Sequence, residues 1–207
     1  MRTPAQSRSS ASADRMLEAT QTLLREGGLG AVTIAAVASR AGTSNGSLYH
    51  RFGDRTGLLL ATQERSFAEI TTETAEAFAR ADAALAAGHE RGEAARLLAA
   101  AALEIFTRHH GTLRAFMVET QGQPEFEEQS EPHLHAIAAL VTSWLSRNLG
   151  ASPAAAEAAW RILFSIGAAQ ALVEERRISP ATLDRDEFAE AVARAILAVT
   201  TTSPASH

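Results

Sequence analysis

Between Thr33 and Phe52 the chain reads TIAAVASRAGTSNGSLYHRF, a stretch that accommodates little besides two short helices joined by a tight turn. Thr33 is placed to cap a helix over 34–41, whose Ile34, Val37, Ala38 and Ala41 fall on one face. Gly42 suits the reversal that follows. Ser44 then caps a second helix from Asn45 to Arg51 or Phe52, anchored by Leu48 and Phe52, and Gly53 ends it. The outer side of this second helix carries Ser44, Asn45, Gly46, Ser47, Tyr49 and His50. These residues are mostly small, and their hydroxyls and amide both donate and accept. A helix that is slender and polar on one side, held by apolar residues on the other, fits a major groove about 12 Å wide. The arrangement expected is a helix-turn-helix.

The flanking segments are also helical in period. Met16, Leu17, Ala19, Thr20, Leu23 and Leu24 predict a first helix from Ser12 or Asp14 to the Gly27-Gly28 stop. Asp54 caps a long fourth helix reaching about Ala84. Beyond it the pattern predicts helices over 90–109, 112–120 and 131–148, with Gly122 and Pro124 as breakers. A further helix opens at Ser152-Pro153 and runs to about Arg176, and a last one follows the Asp184-x-x-Glu187 capping box. No alternating strand pattern occurs. The fold class expected is all-α, with an N-terminal three-helix helix-turn-helix domain and a larger helical body, about nine helices in all. The domain boundaries expected are a flexible arm at 1–11, the helix-turn-helix domain at 12–56 and the body at 57–207.

A net charge of -5 argues by itself against a nucleic-acid partner, but its distribution does not. Residues 1–56 hold seven Arg and four acids, whereas residues 57–207 hold twelve Arg and twenty acids. A basic module joined to an acidic body is the expected footprint of a nucleic-acid binder. The absence of cysteine excludes disulfides and thiolate metal sites. His109-His110 and His133-x-His135 have the wrong helical spacing to share one ion, so no metal and no cofactor is expected. No apolar run is long enough for a membrane span and no secretory leader is evident. The cytoplasm is the expected location.

Residues 15–60, RMLEATQTLLREGGLGAVTIAAVASRAGTSNGSLYHRFGDRTGLLL, resemble the N-terminal domain of TetR-type regulators. The shared features are A-x-x-L-L-x-x-x-G in the first helix, Thr33 opening the second, V-A-x-x-A-G-T-S-x-G-S-L-Y-x-x-F, and Leu58–Leu60. The resemblance implies a phosphate contact at Thr33 and groove-facing positions at Ser44, Asn45 and Ser47, with Gly46 between them. It implies phosphate or base contacts at Tyr49 and His50. Arg55 stands where the family usually has Lys, and implies a further phosphate contact. Thr43, Arg51 and Gly57 depart from the family pattern; a glycine inside a helix is ordinarily destabilising.

The body supports further expectations. Residues 158–173, AAWRILFSIGAAQALV, are apolar nearly all round and need cover on more than one side, which a second copy supplies. The resemblance implies a homodimer through the last two helices. Its recognition helices would reach successive major grooves of palindromic double-stranded DNA, about 34–36 Å apart. It also implies a small apolar or amphipathic ligand in the body. Candidate lining residues, from helical phase, are Phe106, His110, Phe116, Met117, Trp144, Phe164 and Gln170. The function expected is a repressor released from its operator by that ligand. The alternatives are a ligand-independent DNA-binding dimer and a helical enzyme. The enzyme reading has only Glu119 and the 125–128 acidic cluster to draw on, and no phosphate loop, nucleophile elbow or HExxH helix.

Overall fold

The computed structural model describes residues 4–173, 175–181 and 183–201. Among them are ten α-helices and no strand: α1 (Pro4–Ala31), α2 (Ile34–Ala41), α3 (Asn45–Phe52), α4 (Arg55–Ala86), α5 (Arg91–Arg108), α6 (His110–Arg114), α7 (Pro124–Trp144), α8 (Pro153–Leu172), α9 (Glu175–Ile178) and α10 (Arg185–Thr201). Helices α6 and α7 continue as π-helical turns at Ala115–Glu119 and Leu145–Leu149. The all-helical expectation holds.

Four boundaries differ from those the sequence implies; one is the expected stop at Gly27-Gly28, which is a kink inside α1, and the helix resumes beyond it to Ala31. Helix α1 begins at Pro4, within the segment expected to be an arm; Met1–Thr3 lie outside the described residues. Pro4 is tolerated in a first helical turn, and the Ala, Ser, Gln and Arg that follow continue the helix without needing an apolar stripe. Helix α7 begins at Pro124 rather than near Glu131. Glu125 and Glu127 therefore form an acidic first turn that suits the helix dipole, and Glu127 Oε1 accepts from Gly122 N–H at 2.7 Å. Helix α8 stops at Leu172 because Val173 turns to extended backbone.

The chain divides into two compact units, Met1–Glu69 with His109–Glu131, and Ile70–Arg108 with Pro132–His207. The break is not at residue 56, because the first half of α4 is packed into the first unit. There Leu58, Leu59, Gln63 and Phe67 are fully or almost fully buried. Gln63 Nε2 donates to Phe126 O (2.9 Å) and Ser130 Oγ (2.6 Å), and Gln129 Nε2 donates to Leu60 O at 2.7 Å. Gln21 of α1 donates to Ser66 and Glu69, both at 2.9 Å. Met16, Leu24, Val32, Val37 and Leu48 complete this core, and Phe116 stacks on Phe126 with ring centroids 5.9 Å apart.

In the second unit α10 lies against α5 and α8, and α5 against α8. The contacts are rich in alanine: Ala94, Ala95, Ala99, Ala156, Ala159, Ala189 and Ala193 are all buried. Small side chains let helices approach closely. Gly167 has a comparable role within the unit, since a Cβ there would overlap the Phe106 ring. Trp144 is almost fully buried, and its Nε1–H donates to Asp82 Oδ1 at 2.7 Å.

Candidate nucleic-acid interface

The α2–α3 pair has the expected bounds, each end fixed by an identifiable bond. Thr33 is extended (φ -115, ψ 154), and its side chain accepts from Ala36 N–H at 3.1 Å. Gly42 takes the left-handed conformation (φ 63, ψ 43) that reverses the chain, so a side chain there would be strained. Ser44 Oγ accepts from Ser47 N–H at 3.2 Å and lies 3.0 Å from Ser47 Oγ. Val37, Ala38, Ala41 and Leu48 are buried; Ile34 and Phe52, expected to be anchors, are only half-buried. Arg40 of α2 bonds Glu26 of α1 at 2.7 Å, and this hydrogen bond holds the Glu26 carboxyl below the usual carboxylate range.

Every residue expected on the groove-facing side of α3 is exposed: Ser44, Asn45, Gly46, Ser47, Tyr49 and His50. Tyr49 is 54% exposed, while Leu48 beside it is fully buried. Thr33 is exposed as well. An open cleft of about 640 Å³ runs along α3, lined by Ser44, Gly46, Ser47, His50 and Arg51, with Ser12 and Met16 of α1 opposite. Sequence periodicity gave no sign of Ser12, because a polar residue before the apolar stripe has no phase of its own.

Arg55 is exposed, but two of its nitrogens are engaged. Nε donates to Val32 O and Nη2 to Leu29 O, each at 2.7 Å. It therefore ties the α1–α2 connector to the start of α4. Asp54 caps α4 through Gly57 N–H at 2.8 Å. Gly57, which looked like a weakness, answers a close approach: a Cβ there would overlap the Phe52 carbonyl oxygen.

The candidate ligand residues divide between the units. His110, Phe116 and Met117 belong to the first; Phe106, Trp144, Phe164 and Gln170 belong to the second. Phe116 and Trp144 are packed into their cores, and Gln170 is exposed. Phe106 and Phe164 do come together, edge to face at 5.9 Å, with Trp160 on the far side of Phe164 at 5.4 Å. Glu119 is held by Leu29 N–H (2.7 Å) and Arg114 Nε (2.9 Å), so it serves as a structural acceptor.

A paired-helix element with an exposed polar face and a fully buried anchor defines a helix-turn-helix module. Residues 16–62 match the family model for bacterial regulatory proteins of the tetR family. The HTH-type transcriptional regulator BetI of Burkholderia thailandensis is 39% identical over 61 residues, 30% of this chain and 31% of that protein. BetI of Yersinia pestis is 46% identical over 48 residues, 23% of this chain and 24% of that one. These matches span less than a third of the curated relatives. Solved structures match far more of the chain, at lower identity. A regulator from Mesorhizobium loti assigned to the TetR family has a TM-score of 0.75 at 16% identity, covering 93% of this chain and 98% of that one. FadR from Bacillus subtilis in complex with stearoyl-CoA has a TM-score of 0.64 at 12% identity, covering 89% and 97%. Residues 16–62 are similar in sequence to the DNA-binding segment of tetR-type regulators, and the chain shares the fold of these solved structures.

Proposed function

We propose that this chain is a homodimeric repressor that binds palindromic duplex DNA through residues 12–56 and is released by a small apolar or amphipathic ligand bound within residues 57–207. The observation that carries the DNA reading is α3 itself, with six polar or small residues exposed on one side and Leu48 fully buried on the other. In this reading Ser44, Asn45, Gly46 and Ser47 face base edges. Thr33, Tyr49, His50 and Arg55 contact phosphates or neighbouring bases. The cytoplasm, where operator DNA lies, is the proposed location; no helix among the described residues is long and apolar enough to cross a membrane.

Dimerisation is supported by the outer side of α8, where Ala158, Ile162, Ser165, Ala169 and Leu172 are exposed at helical spacing. Ligand release is supported by the Phe106–Phe164–Trp160 cluster and by the stearoyl-CoA bound to the FadR neighbour. A ligand-independent dimer is the second reading, favoured by the tight packing of Phe116 and Trp144.

Fluorescence anisotropy with duplex DNA from upstream of the chain's own gene tests the proposal. Saturable binding that survives excess unrelated duplex at moderate salt is expected. Equal affinity for both duplexes would overturn it.

A further inference from the structure

We infer that Glu119 is a positioning residue for operator recognition, an inference that rests on the DNA-binding reading above. From the π-helical turn after α6, Glu119 fixes the connector formed by the last turn of α1, beyond its Gly27-Gly28 kink, and the two residues before α2, and through it the N-terminus of α2 at Thr33.

The connector is a weak place by sequence. Gly27 and Gly28 leave helical geometry, Gly28 at φ 65 and ψ -162, and only a short turn separates them from Thr33. Segments of this kind open at little free-energy cost unless other groups hold them. Here both polar groups of one residue are gripped. Leu29 N–H donates to Glu119 Oε2 and Leu29 C=O accepts from Arg55 Nη2, each at 2.7 Å. Arg55 Nε takes the Val32 carbonyl, the last before Thr33. Two side chains from distant parts of the sequence, one anionic and one cationic, thus clamp the same residue from its N–H and its C=O.

The carboxylate is itself oriented. Its second oxygen is ion-paired with Arg114 Nε at 2.9 Å, and the side chain is only 24% exposed. Hydrogen bonds to a charged acceptor are about twice as strong as neutral ones. The surrounding glycines leave room for it. A Cβ on Gly28 would stand 2.9 Å from Glu119 Oε1, and one on Gly111 would stand 2.6 Å from Arg25 Cα, where α6 lies on the end of α1. Without the clamp the connector would sample other conformations. The fraction of chains with Thr33 and α2 in place would fall, and the apparent Kd would rise in proportion.

The test uses the full chain, anisotropy with the operator duplex, and amide hydrogen exchange at Leu29. Glu119→Ala should raise the operator Kd by about tenfold, the equivalent of ~1.4 kcal/mol. The dimer should persist, Tm should stay close to that of the parent, and the Leu29 amide should lose protection. Glu119→Gln keeps an oxygen for Leu29 N–H and should recover most of the affinity and the protection. Unchanged affinity in Glu119→Ala overturns the inference, as does a loss that merely follows falling Tm, or equal losses in Ala and Gln. If Glu119→Ala does not fold, Arg114→Ala decides: it should raise both Kd and Leu29 exchange, and no change in either overturns the inference. A parent chain that binds no duplex sinks the DNA reading itself. That result is distinct from a parent that binds and a Glu119→Ala variant that binds equally well.

Discussion

Tyr49 stands more than half exposed on α3, one residue beyond the fully buried Leu48. The phenol contributes little to the core, so Tyr49→Ala should change stability by no more than about 0.5 kcal/mol. If Tyr49 contacts DNA, the same change should weaken operator binding several-fold, read by anisotropy beside a melting curve. A large drop in Tm would instead make Tyr49 a structural residue. Gly57 predicts the opposite pairing. A methyl group there collides with the Phe52 carbonyl oxygen, which is backbone and cannot swing aside. Gly57→Ala should lower stability by about 1–3 kcal/mol in chemical denaturation despite alanine's better helix propensity. An unchanged or raised midpoint would show that the α3–α4 junction relaxes freely.

At the scale of the element, α8 shows what apolar residues on every side demand. Its inward side meets α5 and α10, and Gly167 is part of that packing. Gly167 is covered by Phe106 of the same chain. The outward stripe of Ala158, Ile162, Ser165, Ala169 and Leu172 is exposed, and it is the patch the proposed dimer would use. A two-fold interface places the same patch on both subunits, so a charge introduced there acts twice. Ile162→Glu should shift the chain toward monomer in sedimentation equilibrium, with operator affinity falling as the second half-site contact is lost. A dimer of undiminished stability would place the interface elsewhere.

On the scale of the whole molecule, charge and ligand are the testable quantities. The acidic residues lie mainly beyond residue 56, whereas the first 56 residues carry an excess of arginine. A ligand of the proposed apolar or amphipathic class, with long-chain acyl-CoA as the first compound tested, should raise Tm and release the operator in the same concentration range. A rise in Tm without release would separate binding from regulation. Neither effect, across apolar and amphipathic compounds, would favour the ligand-independent dimer.

The helix-turn-helix was legible from residues 33–53 alone because caps, turn glycines and short apolar phases are local devices. Thr33, Gly42, Ser44 and Gly53 each act within a few residues of their own position, so their structure follows from their neighbours in the chain. Helix periodicity likewise determined the all-α class. Tertiary structure decided what local rules cannot express. Half of α4 belongs with the N-terminal helices because Gln63 finds its partners, Phe126 and Ser130, far away in sequence. Glu119 meets Leu29 across 90 residues. Arg55 is drawn onto connector carbonyls. Gly57 is required by one carbonyl oxygen. Each of these depends on which groups the folded chain brings together at bonding distance, and hydrophobic period carries no record of that.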